Sequence, residues 1–99
     1  MSFNLDQVNL QKGKIAIVTG ANSGLGQEIT IGLAKKEFKV IMACRNIKKA
    51  ESAKLEILKI IPTADLELME LDLNSLISVR NFANSFIKKY IQLNLLIEN

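Results

Sequence analysis

Histidine and tryptophan are absent from the 99-residue chain, cysteine and proline occur once each, and aromatic residues make up only 5% of it. Without histidine the commonest general base and metal ligand is gone. With Cys44 alone there is neither a disulfide framework nor a cysteine-based zinc cluster. Ser-His-Asp hydrolysis and metal-assisted hydrolysis are therefore excluded within this chain. No apolar run approaches the roughly 18–20 residues of a membrane helix. The opening "MSFNLDQVNLQKGK" also lacks the basic-then-apolar order of a secretory signal. These absences predict a cytoplasmic protein with no membrane partner.

The composition is that of a chain built to fold, 48% apolar and 23% charged, and its length suits one domain with one core. The net charge of +3 is unevenly placed: residues 1–50 hold eight Lys/Arg against three Asp/Glu, and residues 51–99 hold five against seven. An anion belongs with the first half. No dense basic stripe accompanies this bias, which argues against a nucleic-acid partner.

Periodicity alternates along the chain. "KIAIVTG" (14–20) is an apolar run ending at glycine and predicts a buried strand, β1. From Gly24, apolar residues recur at three- and four-residue spacing and predict an amphipathic helix, α1. "FKVIMAC" (38–44) predicts β2, and "NIKKAESAKLEILKII" (46–61), closed by Pro62, predicts α2. "LELMELDL" (66–73) alternates with one phase slip and predicts a less buried strand, β3. Asn74 and Ser75 are both good helix caps, and Val79, Phe82, Phe86 and Tyr90 behind them fall on one face of α3. The section 93–97 predicts a short β4. The order β-α-β-α-β-α-β implies an α/β fold of Rossmann type: a parallel sheet ordered 3-2-1-4, joined by right-handed crossovers, with helices on both faces.

Three of the five glycines, Gly20, Gly24 and Gly26, stand within seven residues where β1 becomes α1. A glycine turn from strand to helix lets the backbone approach a ligand closely, and it points unpaired helix N–H groups at an anion. A pyrophosphate is the fitting anion. Gly20 is expected to make the turn, Gly24 to admit the phosphates and Gly26 to let α1 pack against the sheet. Thr19, Asn22 and Ser23 are expected to hold the turn through side-chain bonds to the main chain. In NAD-binding sheets of this kind an acidic residue near the end of β2 meets the ribose, whereas an arginine there accommodates a 2′-phosphate. Residues 38–50 contain no Asp or Glu, and Arg45 directly follows β2. The cofactor expected is NADP.

"TGANSGLG", Thr19 to Gly26, resembles the TGxxxGxG motif of the short-chain dehydrogenase/reductase family. "ACRN" (43–46), then "LDL" (71–73) followed by "NSLISVRNFA", is similar to its retinol-dehydrogenase and protochlorophyllide-reductase-like branch. The resemblance runs from about Lys12 to Asn99. It implies that Asn22 and Ser23 line the phosphate turn, that Leu25 sits under the nicotinamide half, and that Arg45 meets the 2′-phosphate. It further implies that Asp72 and Leu73 contact the adenine. Where the family has an NNAG motif after β4, Glu98 stands at the first Asn and Asn99 at the second. Glu98 is a departure, because a carboxylate there adds like charge near cofactor phosphates. The family's Tyr-x-x-x-Lys pair has no counterpart: Tyr90 is followed four residues on by Asn94.

The expectation is thus that residues 1–99 form the N-terminal cofactor-binding portion of a single Rossmann domain, truncated after the fourth strand. The catalytic half of an NADP-dependent oxidoreductase acting on a carbonyl, an alcohol or an activated double bond would be absent, and the portion alone inactive. A non-catalytic nucleotide-binding or regulatory module is the alternative, and a mononucleotide or S-adenosylmethionine site a third. An uncovered β4 edge and a sheet face covered by α3 alone predict marginal stability and self-association into homo-oligomers. Tyr90 reads as a packing residue and Cys44 as a small buried one.

Overall fold

The computed structural model describes residues 12–99; the opening stretch read above for a targeting signal lies, through residue 11, outside the described residues. Seven elements follow in order: β1 (Ile15–Thr19), α1 (Gly24–Lys35), β2 (Lys39–Cys44), α2 (Ile47–Ile60), β3 (Asp65–Glu70), α3 (Leu76–Lys89) and β4 (Leu95–Ile97). The strands form one parallel sheet in the order β3-β2-β1-β4, as the alternation of strand and helix patterns implies. No helix among the described residues is long and apolar enough to cross a membrane.

Alternation along the strands splits the core in two. Ala16, Val18, Val40, Met42, Cys44 and Leu66 face α1 and α2, where Leu33, Ala50, Ala53 and Ile57 close over them. Ile17, Ile41 and Ala43 face the other way, with Leu71, and meet Phe86 of α3. β2 lies between two strands and under helices on both sides, so five of its six residues are buried, which explains its continuous apolar run. β3, at the sheet edge, buries only Leu66, in line with its broken alternation. The α3 side is the thinly covered one: Leu76, Ile87 and Leu96 remain exposed, and β4 has no partner on its outer side among the described residues.

All four strands are shorter than their expected spans, β3 and β4 because a polar side chain ends the ladder. Beyond Glu70, Leu71 still donates its N–H to the Cys44 carbonyl (2.9 Å), but the Asp72 carboxylate takes the Asn74 N–H (3.0 Å) and folds the chain into a turn. The "LDL" segment is therefore loop, not strand. At the start of β4, Asn94 donates its main-chain N–H to the Ile15 carbonyl (3.0 Å), while its side-chain Oδ1 accepts the Ile15 N–H (2.9 Å) in place of a main-chain carbonyl. Leu93 consequently falls outside the strand.

α1 ends in a Schellman turn, with Phe38 N–H donating to the Leu33 carbonyl (3.2 Å) and Glu37 N–H to that of Ala34 (3.0 Å). Glu37 occupies the left-handed position that turn requires, at φ 67°.

Candidate functional site

The turn after β1 is a small machine of main-chain bonds. Gly20, at φ 61°, donates its N–H to the Ala43 carbonyl (2.9 Å), which fixes the end of β1 against β2. Its own carbonyl receives the Ser23 N–H (3.1 Å) and the Ser23 hydroxyl (2.9 Å). Ser23 is the cap of α1, and its Oγ also accepts the Gly26 N–H (3.0 Å). A Cβ on Gly26 would stand 2.2 Å from the Gly20 carbonyl oxygen and 2.8 Å from Ala21 Cα. Gly26 is thus required by the turn lying across it, rather than by contact between α1 and the sheet. Around Gly24 there is only open space. The main-chain N–H groups of Gly24 and Leu25 have no acceptor among the described residues. Two free donors at the positive end of a twelve-residue helix are what an anionic ligand would satisfy.

The end of β4 locks this turn. The Asn99 side-chain amide donates to the Gly20 carbonyl (3.0 Å) and to Ser23 Oγ (2.8 Å), while its main-chain N–H donates to Thr19 Oγ1 (2.9 Å). The Thr19 hydroxyl in turn donates to the Ile97 carbonyl (3.4 Å). Thr19 therefore ties β1 to β4 instead of bracing the turn from within. Among the described residues the Asn22 side chain makes no bond to the turn either; its carbonyl accepts the Gln27 amide (3.3 Å). Of the three residues expected to hold the turn, Ser23 does so. Cys44 lies beneath, buried; burial pushes its thiol up, against the opposing pull of the Asn22 and Ala21 main-chain N–H groups.

Beside the turn, at the C-terminal ends of the strands, opens a crevice of about 230 Å³. Seven of the sequence-predicted residues line it: Thr19, Gly20, Asn22, Arg45, Asp72, Leu73 and Asn99. Ser23 and Gly26 build the turn behind it, and Gly24 and Leu25 stand on the first turn of α1, Leu25 with 60% of its surface exposed. Glu98 is exposed and does not line the crevice. Sequence reasoning missed three lining residues, Ala43, Leu71 and Asn74. Ala43 could have been found as the smallest residue of its apolar run, at the strand end nearest the turn. Of the two candidate caps of α3, Ser75 fills that role, which leaves Asn74 to the crevice.

Arg45 is exposed and stands at the end of β2 on one side of the crevice floor; Asp72 stands after β3 on the same side of the glycine turn. Cation, carboxylate and glycine turn thus share one opening, and the N-terminus of α1 stands behind that turn.

The opposite end of the sheet carries a different cluster, next to a cavity of about 560 Å³ lined in part by Lys39, Asp65 and Tyr90. The Tyr90 hydroxyl donates to Glu67, which also pairs with Lys89 (2.8 Å) and lies 3.8 Å from Lys39. Lys39 pairs with Asp65 (3.0 Å) and sits 5.9 Å from the centre of the Tyr90 ring. Partial burial opposes charge on Glu67, yet the bonds from Lys89 and Tyr90 hold its carboxyl below the usual range. Burial and the Glu67 contact both push the Tyr90 phenol up. Tyr90 packs on Phe86, ring centres 5.1 Å apart, at the far end of the strands from the glycine turn.

Comparison with known proteins places these features in context. A family profile described as short chain dehydrogenase matches residues 14–99. Retinol dehydrogenase 11 of Mus musculus is 41% identical over 87 residues, covering 88% of this chain and 28% of its own. Among solved structures, the menthone neomenthol reductase from Mentha piperita superposes with a TM-score of 0.81 at 31% identity, over 87% of this chain and 31% of that one. The Pseudomonas aeruginosa RhlG/NADP active-site complex does so with a TM-score of 0.78 at 26% identity, over 89% and 34%. The chain spans 21–28% of the length of curated relatives it matches.

Proposed function

This chain belongs to the short-chain dehydrogenase family, and on that premise we propose that residues 1–99 form the N-terminal, NADP-binding portion of an oxidoreductase. The reaction proposed for the whole protein moves a hydride between NADP(H) and a carbonyl, an alcohol or an activated double bond. The observation that carries the reading is Arg45, which opens into the same crevice as the glycine turn and the Asp72 segment, with no acidic residue between Phe38 and Ala50. A guanidinium there meets a 2′-phosphate with charge-assisted bonds, where a carboxylate would repel it.

The residues present fit such a group. The free N–H groups of Gly24 and Leu25 would hold the pyrophosphate, Arg45 the 2′-phosphate, and the Asp72 carboxylate the adenine side. When bound, the nicotinamide supplies or accepts the hydride. The chain's own contribution is to bind and orient: Asn99 and Ser23 keep the turn in one conformation, so its donors need not reorganise on binding.

Isothermal titration of residues 1–99 tests this. NADPH is expected to bind roughly ten- to a hundredfold more tightly than NADH, the range of one charge-assisted contact. Arg45→Asp is expected to erase or reverse the preference. Equal affinity for the two nucleotides, unmoved by Arg45→Asp, would overturn the NADP assignment. The same protein is expected to show no NADPH oxidation with carbonyl substrates, since its one tyrosine, Tyr90, is committed to Glu67 at the other end of the sheet.

A further inference from the structure

We propose that Ser78 is the positioning residue of the adenine-side wall of the crevice, a role that rests on the nucleotide reading above. That wall is the segment from Leu71 to Asn74. No regular element holds it, since β3 ends at Glu70 and α3 begins at Leu76. Leu71 ties its upstream end to the Cys44 carbonyl (2.9 Å). The bond from the Asn74 N–H to Asp72 Oδ1 is internal and travels with the turn. Asp72 itself is fixed at two points: its carbonyl accepts the Ser75 N–H (3.0 Å), and its N–H donates to Ser78 Oγ (2.8 Å).

Ser78 is the third residue of α3, and its own N–H is capped by Ser75 Oγ (3.2 Å). In a capping box the residue at this position reaches back to the N–H of the cap. Ser78 instead reaches three residues beyond the cap and grips the main chain of the crevice wall. The start of α3 and the placement of Asp72 therefore share one network. The Asp72 carboxylate spends one oxygen on Asn74, and the other has no protein partner among the described residues. That free oxygen is useful to an adenine amine only if the Asp72 backbone stays put, because a hydrogen bond weakens steeply with distance and angle. Loss of the Ser78 hydroxyl leaves the Asp72 N–H to water and lets the turn drift.

The test titrates residues 1–99 with NADPH, adenosine 2′,5′-bisphosphate and inorganic pyrophosphate. Ser78→Ala is expected to weaken the two adenine-bearing ligands about tenfold and to leave pyrophosphate binding unchanged. Ser78→Thr, which keeps the hydroxyl, is expected to restore them. Hydrogen exchange at the Asp72 amide, read without ligand, is expected to quicken in Ser78→Ala and recover in Ser78→Thr. Undiminished affinity for NADPH and the bisphosphate in Ser78→Ala would overturn the proposal, and so would an equal loss for all three ligands. If Ser78→Ala does not fold, Ser78→Cys, with a weaker acceptor of similar size, carries the same comparison. Failure of the unaltered chain to bind any of the three would sink the nucleotide reading itself.

Discussion

A methyl group added at Gly26 and one added at Gly24 meet opposite surroundings, though only one residue lies between the two glycines. At Gly26 the new carbon would lie 2.2 Å from a backbone oxygen that cannot swing aside, and at Gly24 it would meet nothing within 4 Å. Gly26→Ala is therefore expected to cost about 2–3 kcal/mol or more, as overpacking against backbone does, and to remove NADPH binding with it. Gly24→Ala is expected to fold as well as the parent or slightly better, since it also restricts the unfolded chain. Its effect belongs to the ligand, because the added carbon stands where phosphates would approach. Urea unfolding of both variants, followed by NADPH titration of whichever folds, checks the pair; a Gly26→Ala protein as stable as the parent would contradict it. The glycine pattern marked these positions and assigned packing to Gly26, but against the sheet rather than against the turn. The contact that decides it, Gly20 and Ala21 folding back over α1, has no periodicity to betray it.

At the scale of elements, α3 buries a single residue, Phe86, fewer than α1 or α2, and polar groups secure both its ends. Ser78 ties its start to Asp72, while Lys89 and Tyr90 tie its end to Glu67 on β3. The Glu67 carboxyl is held below its unfolded value, so the stability it contributes is present above about pH 4.5 and is lost as the pH falls through the folded value. Lys39 and Tyr90 are raised, and their contribution is present below about pH 10 and lost above it. Burial alone would lower Lys39, but the bond to Asp65 and the charges of Asp65, Tyr90 and Glu67 outweigh it. Tyr90→Phe is expected to cost about 1 kcal/mol at pH 7, and Glu67→Gln to flatten the acid limb of stability between about pH 5 and pH 3. Urea midpoints across that range measure both; an acid limb unchanged in Glu67→Gln would show that other carboxylates carry it. Tyr90 was legible as a packing residue of α3 because it falls in phase with Phe82 and Phe86. Its bond to Glu67 was not, since β3 showed only an irregular alternation.

For the molecule as a whole, the order of elements and the sheet order were legible because each strand and helix carried its own period and the crossover rule left few arrangements. The ends of β3 and β4 were not, because Asp72 and Asn94 compete for main-chain bonds in ways hydropathy does not record. Little stability is expected in reserve, because α1 and α2 close one side while Leu76, Ile87 and Leu96 stay exposed on the other. A ligand that binds only the folded chain should then have a large visible effect. At a hundred times its dissociation constant, NADPH is expected to add about 2.7 kcal/mol, raising the melting temperature by roughly 10–20 °C for a domain of this size. NADH at the same concentration is expected to do markedly less. Scanning calorimetry with each nucleotide decides it, and coincident melts with and without NADPH would count against a nucleotide site.

The Asn99 amide that closes onto Gly20 comes from 79 residues further along the chain. A ribosome adding roughly 5–20 residues per second needs on the order of 4–16 s to cover that distance. During synthesis the glycine turn is therefore made early and waits, able to form its own Ser23 cap but not its clasp. Any binding that needs the clasp is therefore expected to wait until β4 takes its place beside β1.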